Sequence, residues 1–365
     1  MTSAAALVLA LAAAAPGEPP ADTVLLLVGD AGTPDPRGEP VLRALSAAAA
    51  QDPVRTTVVF LGDNVYPRGL PPPGDAERPE GERRLVAQLD AVRIPGLRTV
   101  FVPGNHDWAA SGRDGWDAVL RSAAFVRERG PESARQLPEG GCPGPEILDL
   151  GARVRLLLLD TQWFLHAHEK PRHPASSCAA DSEEEVVAAV QAALRGAPDR
   201  EVVVAAHHPL ASGGPHGGHF SVRQHLFPLT DWKPWLWIPL PLIGSSYPAA
   251  RKGGASPQDL SSAENEGMRA ALLRAFEARP PLAFAAGHEH NLQVIARDSP
   301  RYILVSGSGI LGHTSGVRKI QGTRFARDHA GFMRLAFPRA GPPLLEVLGV
   351  APDGSARALF SLELR

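Results

Sequence analysis

The chain has 365 residues, of which 44% are hydrophobic and 21% charged. These proportions fit a globular protein with a sizeable core and exclude a disordered or fibrous one. With 37 basic against 39 acidic residues the net charge is -2, so no overall field draws the chain to nucleic acid or an acidic membrane, and any charge that binds phosphate must be local.

Met1 to Ala15 is an Ala/Leu/Val run too short to span a bilayer, with Ala12 and Ala14 spaced as in a signal-peptide cleavage site. The expectation is export to a periplasmic or extracellular compartment. No Lys or Arg precedes the run, which leaves a cytoplasmic location as the alternative. Residues 1–21 are read as signal peptide and linker, and 22–365 as one domain.

Val24 to Val28 is a continuous apolar run ending at Gly29-Asp30, the pattern of a strand buried on both faces that delivers a carboxylate. The pattern returns at Val58 to Leu61 ahead of Gly62-Asp63, and at Thr99 to Val102 ahead of Pro103-Gly104-Asn105-His106. It returns again at Val202 to Ala206 ahead of His207, and at Leu282 to Ala286 ahead of Gly287-His288. Between these runs helices are expected over Val41 to Ala50, Glu82 to Arg93, Glu183 to Leu194 and Glu264 to Ala278. Ser182 with Glu185, and Ser261 with Glu264, have the spacing of capping boxes. Tyr302 to Val305, Met333 to Phe337 and Leu344 to Val350 read as closing strands. Strands that alternate with helices and then follow one another predict an α/β fold: a four-layer α-β-β-α sandwich of two mixed sheets. Polar groups gather at the carboxyl edge of such sheets, where these folds place their sites.

Two cysteines, Cys142 and Cys178, flank a predicted strand and loop. In an oxidising compartment they can close a disulfide; otherwise they are two buried free thiols. Residues from about 225 to 262 read as an inserted loop rich in Trp and Pro. Two readings stay open: a lid folded over its own domain with its aromatics covered, or a flap in weak contact with a membrane or lipid.

In chain order the run ends present Gly29-Asp30-Ala31-Gly32, Gly62-Asp63-Asn64-Val65-Tyr66, Gly104-Asn105-His106-Asp107, Val204-Ala205-Ala206-His207 and Gly287-His288-Glu289-His290. Two neighbouring divalent or trivalent ions need this many hard donors, with one carboxylate shared to set their separation. One such block is an ordinary turn; five in order at strand ends are a signature. In type and order they resemble the metal-site motifs of the small, tartrate-resistant purple acid phosphatases of the calcineurin-like metallophosphoesterase superfamily: G-D-x-G, G-D-x-x-Y, G-N-H-[DE], V-x-x-H and G-H-x-H.

The resemblance implies the metallophosphoesterase fold and a two-metal centre, with Asp30, Tyr66 and His290 on one ion, Asn105, His207 and His288 on the other, and Asp63 bridging. The broader superfamily has D-x-H in the first block; here the His is Gly32, and Tyr66 stands three residues after the bridging Asp. A phenolate suits ferric iron, so the implied cofactors are Fe(III) and a divalent Fe, Zn or Mn. The implied reaction is hydrolysis of a small phosphate ester, a monoester first, by a metal-bound hydroxide, with His106 and His216 as catalytic imidazoles. Asp107 is placed to accept the His106 ring proton, or else to make a structural contact behind the metal ligands. His216 sits in Gly213-Gly214-Pro215-His216-Gly217, where the small enzymes have E-H-G; Pro215 departs from that pattern and His219 competes for the role. A phosphodiesterase or pyrophosphohydrolase with the same centre is the enzymatic alternative, and an inactive binding module that keeps the fold is the other. No nucleic-acid partner is expected. His208, His225, His313 and His329 have no motif support and are assigned structural roles, and His166, His168 and His173 are assigned to an exposed loop.

Overall fold

In the strand Ala21–Val28, Leu25 and Leu27 belong to one buried cluster and Leu26 and Val28 to another. Successive side chains point to opposite faces, so an unbroken apolar run is what a strand covered on both sides requires. The computed structural model describes residues 21–231, 235–241 and 243–365; the expected signal peptide and part of the Trp/Pro-rich stretch lie outside the described residues.

The first half runs β1 (Ala21–Val28), α1 (Pro40–Ala49), β2 (Thr56–Phe60), α2 (Arg78–Ala91), β3 (Arg98–Phe101), α3 (Gly115–Arg129) and β4 (Ala134–Gln136). There follow β5 (Glu146–Leu150), β6 (Val154–Leu158), α4 (Thr161–Leu165), α5 (Glu183–Arg195), β7 (Glu201–Ala205), α6 (Val222–Leu226), α7 (Ser246–Lys252) and α8 (Ala263–Phe276). The chain closes with β8 (Ala283–Ala286), β9 (Leu292–Ala296), β10 (Tyr302–Ser306), β11 (Thr323–Arg327), β12 (Gly331–Pro338), β13 (Leu344–Val350) and β14 (Ala356–Glu363).

The strands form two sheets, ordered β14-β13-β12-β1-β2-β3-β4 and β11-β9-β10-β8-β7-β6-β5. Both are mixed. β1 to β4 are parallel while β12 returns antiparallel to β1, and β6, β7, β8 and β10 are parallel while β9 returns antiparallel to β10. Between the sheets, Leu25, Leu27, Val59 and Val100 pack with Leu156, Val203, Ala285 and Leu304. The outer face of the first sheet carries α1, α2 and α3 through Leu45, Leu89 and Phe125, and that of the second carries α5 and α8 through Val190, Met268 and Phe276. The result is the expected four-layer sandwich.

Register brings the strand ends into line. Val28 pairs with Phe60 and Phe60 with Phe101, so the residues after β1, β2 and β3 leave the sheet at one edge; Ala205 pairs with Ala285 and does the same for β7 and β8.

Several details differ from expectation. Ser262, not Ser261, caps α8, accepting from the Asn265 amide at 3.1 Å, while the Ser261 hydroxyl turns to the Arg251 carbonyl at 3.2 Å. At α5, Ser182 accepts the Glu185 amide, but the Glu185 carboxylate takes the amide of Asp181, one residue upstream of the box position. Helix α3 was not expected at all: it starts at Gly115-Trp116 without a side-chain cap, and its buried face is diluted by Ala118 and Ser122. Cys142 and Cys178 are joined, Sγ to Sγ at 1.99 Å. In the Trp/Pro-rich stretch Trp235 and Trp237 are 72% and 55% exposed, so these aromatics are not covered as the lid reading required. Among the described residues no helix is long and apolar enough to cross a membrane.

Candidate metal centre

Three turns at the common edge are tightly wound. Asp30, Asp63 and His288 have φ of 58°, 55° and 69°, left-handed values that cost a side-chain-bearing residue energy and that gather at sites where geometry is over-determined. Their neighbours leave no room for alternatives. A Cβ on Gly104 would lie 2.3 Å from Asp63 Oδ1, and one on Gly32 would lie 2.5 Å from the Asp63 carbonyl oxygen. Residue 32 therefore has no room for a side chain in this backbone.

The Tyr66 hydroxyl lies 3.0 Å from Asp30 Oδ1 and 3.1 Å from His290 Nε2, and His290 Nε2 lies 3.4 Å from Asp30 Oδ1. Beside this trio, Asn105 Oδ1 is 3.0 Å from His207 Nε2 and 3.1 Å from His288 Nδ1, and those two nitrogens are 3.2 Å apart. Asp63 joins the groups. Its Oδ1 is 3.5 Å from His207 Nε2, and donor atoms of Asp30, Asp63 and His207 all fall within 4.8 Å of one another.

The donor chemistry fits metal ions. His207 Nδ1 donates to the Leu61 carbonyl at 2.8 Å and His288 Nε2 to the Gln258 carbonyl at 3.1 Å, which leaves His207 Nε2 and His288 Nδ1 as lone pairs. Both face Asn105 Oδ1, so three acceptors converge where nothing among the described residues donates, an arrangement that a cation relieves. Electrostatics agree. Burial pushes the Asp30 carboxyl up to about 8 against the pull of His207, and burial with the Asp30 and Asp63 charges holds the Tyr66 phenol well above its ordinary value. Burial lowers His290 to about 4 and His288 well below the usual imidazole range. Asp63 alone goes the other way: burial opposes its charge, yet His207 and His106 hold it below the usual carboxylate range. A buried carboxyl and phenol that stay neutral by themselves ionise when a multivalent cation supplies the missing charge, and the neutral imidazoles are already in the ligating form.

Around the seven, His106 donates its backbone amide to Asp63 Oδ1 at 2.8 Å and keeps Nε2 at 3.9 Å from Asp63 Oδ2. Asp107 does not accept its ring proton. His106 Nδ1 meets the Pro67 carbonyl at 2.6 Å, and Asp107 is used up by the amides of Gly104, Asn64 and Val65 at 2.8–3.1 Å and the Asn64 side chain at 2.9 Å. Asp107 thus stitches two site loops together instead of setting a tautomer. His216 reaches the site, its ring 4.0 Å from that of His288, whereas His219 makes no such ring contact among the described residues.

Four residues gain a place that sequence reasoning withheld. His208 is fully buried between Thr161 Oγ1 at 2.8 Å and Gln258 Oε1 at 2.6 Å, beside His207 and His288. The His313 ring lies tilted at 4.1 Å from that of His290 and edge-on at 5.4 Å from that of Tyr66. Asp259 accepts from His216 Nδ1 at 3.0 Å, and Arg251 holds the Asp259 carboxylate. None follows a motif, and only proximity in the fold reveals them. His166 corrects another expectation: it is buried against Trp108 at 4.7 Å, while His168 and His173 are exposed. His225 and His329 pair with Ser245 and the Ala330 carbonyl, away from the cluster.

No family model and no curated protein matches the chain. Solved structures do share its fold. GAP50, the anchor in the inner membrane complex of Plasmodium, superposes with a TM-score of 0.58 at 16% identity over 94% of this chain and 88% of that one. Purple acid phosphatase PPD1 from seeds of yellow lupin, Lupinus luteus, gives 0.53 at 14% over 95% of this chain, which spans 55% of that one. A dimetal phosphatase from Danio rerio gives 0.52 at 12% over 95% and 100%. The chain has the calcineurin-like metallophosphoesterase fold, and its sheet edge carries His/Asp clusters able to hold metal.

Proposed function

We propose that the protein is a two-metal hydrolase of small phosphate monoesters, of the purple acid phosphatase kind. The observation that carries this is the meeting of seven donors, Asp30, Asp63, Tyr66, Asn105, His207, His288 and His290, at one sheet edge with lone pairs turned on each other. In this reading Asp30, Tyr66 and His290 hold one ion, Asn105, His207 and His288 the other, and Asp63 bridges. Such a pair supplies charge neutralisation at phosphorus and a lowered pKa for water.

The chain's own groups do the rest. His106, whose Nδ1 donates to the Pro67 carbonyl, donates from Nε2 to a phosphoryl oxygen when the ring is protonated. His216 protonates the departing ester oxygen. The Tyr66 phenol, raised by burial and two carboxylates, ionises only beside a strong Lewis acid, which supports Fe(III) in the first position. Export is part of the reading, supported by the Cys142–Cys178 bond.

A second reading follows from the anchor role of the Plasmodium neighbour: a binding module that keeps the fold without turnover. Purified protein assayed in parallel on a chromogenic monoester and a bis-ester separates these. A visible phenolate band with faster monoester cleavage is expected. Faster bis-ester cleavage indicates a diesterase, and activity retained by D63A contradicts the metal mechanism.

A further inference from the structure

Near its end the Trp/Pro-rich stretch carries Arg251 and Asp259, which belong to no motif and meet beside His216. Asp259, 1% exposed, accepts from His216 Nδ1 at 3.0 Å. Arg251 grips the same carboxylate with two parallel bonds, Nε to Oδ2 and Nη2 to Oδ1, both 2.5 Å, and donates Nη1 to the Tyr247 hydroxyl at 2.9 Å. The Leu260 amide donates to the His216 carbonyl at 2.9 Å, tying the same two segments again. Arg251 Nη2 also stands 3.0 Å from His216 Nδ1. A carboxylate can only accept, so the Asp259 contact requires the hydrogen on Nδ1; Arg251 Nη2 then donates to the same Oδ1 and not to the ring, and Asp259 Oδ1 is the common acceptor. Nε2, on the opposite edge of a ring that lies 4.0 Å from His288, has no partner among the described residues.

We propose that Asp259, clamped by Arg251, is the positioning residue for His216: it fixes Nδ1–H away from the metal-ligand cluster and leaves Nε2 for substrate, so that the inserted segment completes the site. The proposal rests on the phosphomonoesterase reading and assigns to this segment a part in leaving-group departure. In the step concerned, the oxygen of water bonds to phosphorus and the ester P–O bond breaks with its electron pair on the leaving oxygen. That oxygen takes the proton from His216 Nε2. The proton lost by water passes to solvent, from which His216 is reprotonated.

Full-length metal-loaded protein is assayed on an alkyl monophosphate, whose alkoxide needs a proton, and on 4-nitrophenyl phosphate, whose phenolate does not. H216Q and D259N are each expected to lower kcat on the alkyl ester by about a hundredfold and on the aryl ester far less, with KM little changed. The double variant is expected to be no slower than H216Q, since the two act as one unit. D259N that slows both esters equally, or adds fully to H216Q, overturns the proposal while leaving the phosphatase reading intact. Wild-type protein that cleaves neither ester overturns that reading and the proposal with it. Nitrogen-15 spectra of the wild-type imidazoles give a readout free of activity and of any folding defect in the variants. His216 protonated at Nδ1 supports the clamp, and an Nε2–H tautomer in the neutral ring contradicts it.

Discussion

Gly104 sets the clearance on which the site depends. Its missing Cβ would press on both the nitrogen and Oδ1 of Asp63 at 2.3 Å, and neither can retreat, because Asp63 is 2% exposed and already holds the His106 amide. G104A is expected to cost about 1–3 kcal/mol in the metal-free protein, as overpacked cores do, and to reduce bound metal, both read from urea melts and metal analysis. At Asp259 the same scale gives a pH dependence. Burial opposes its charge, but hydrogen bonds from His216 and Arg251 bring its carboxyl below the ordinary 3.8. A lowered carboxyl contributes stability that is full above the unfolded value and is lost as pH falls through the folded one. Wild type should exceed D259N by about 3 kcal/mol near neutrality, and the gap in melting temperature should close below 3.8; a gap constant with pH would contradict the ion pair.

Elements hold these residues through covalent and packing ties. The Cys142–Cys178 bond closes 36 residues that include β5, β6 and α4. Loop-closure entropy assigns that ring about 3–4 kcal/mol, so C142S/C178S should lose this much in denaturant unfolding, and an unchanged midpoint would show the bond to be idle. The strands that carry donors were legible because each is buried on both faces and ends abruptly in a polar group. Helix α3 was not, since Ser122 interrupts its apolar face and no cap marks its start. Strands β11 and β14 are exposed along much of their length, so no periodicity betrays them. Of the two roles open to Asp107, the structural contact behind the ligands is the one the structure shows, because Pro67 already takes the His106 ring proton. Asp259 and His313 could not be found from the sequence: each reaches the site from a segment distant in the chain, and neither has a spacing rule.

At the scale of the molecule, two sheets facing each other across one core bring five strand ends to a single edge, three from one sheet and two from the other. The match to solved phosphatases at 12–14% identity is a match of fold, and the chemistry has to be tested on this chain. The central claim is that seven of its side chains hold two cations about a shared Asp63. Metal analysis of purified wild type and D63A is the direct measurement. Two equivalents per wild-type chain, falling below one in D63A, is the expected result; a wild type that takes up no metal, or a D63A variant that keeps the full complement, would contradict it.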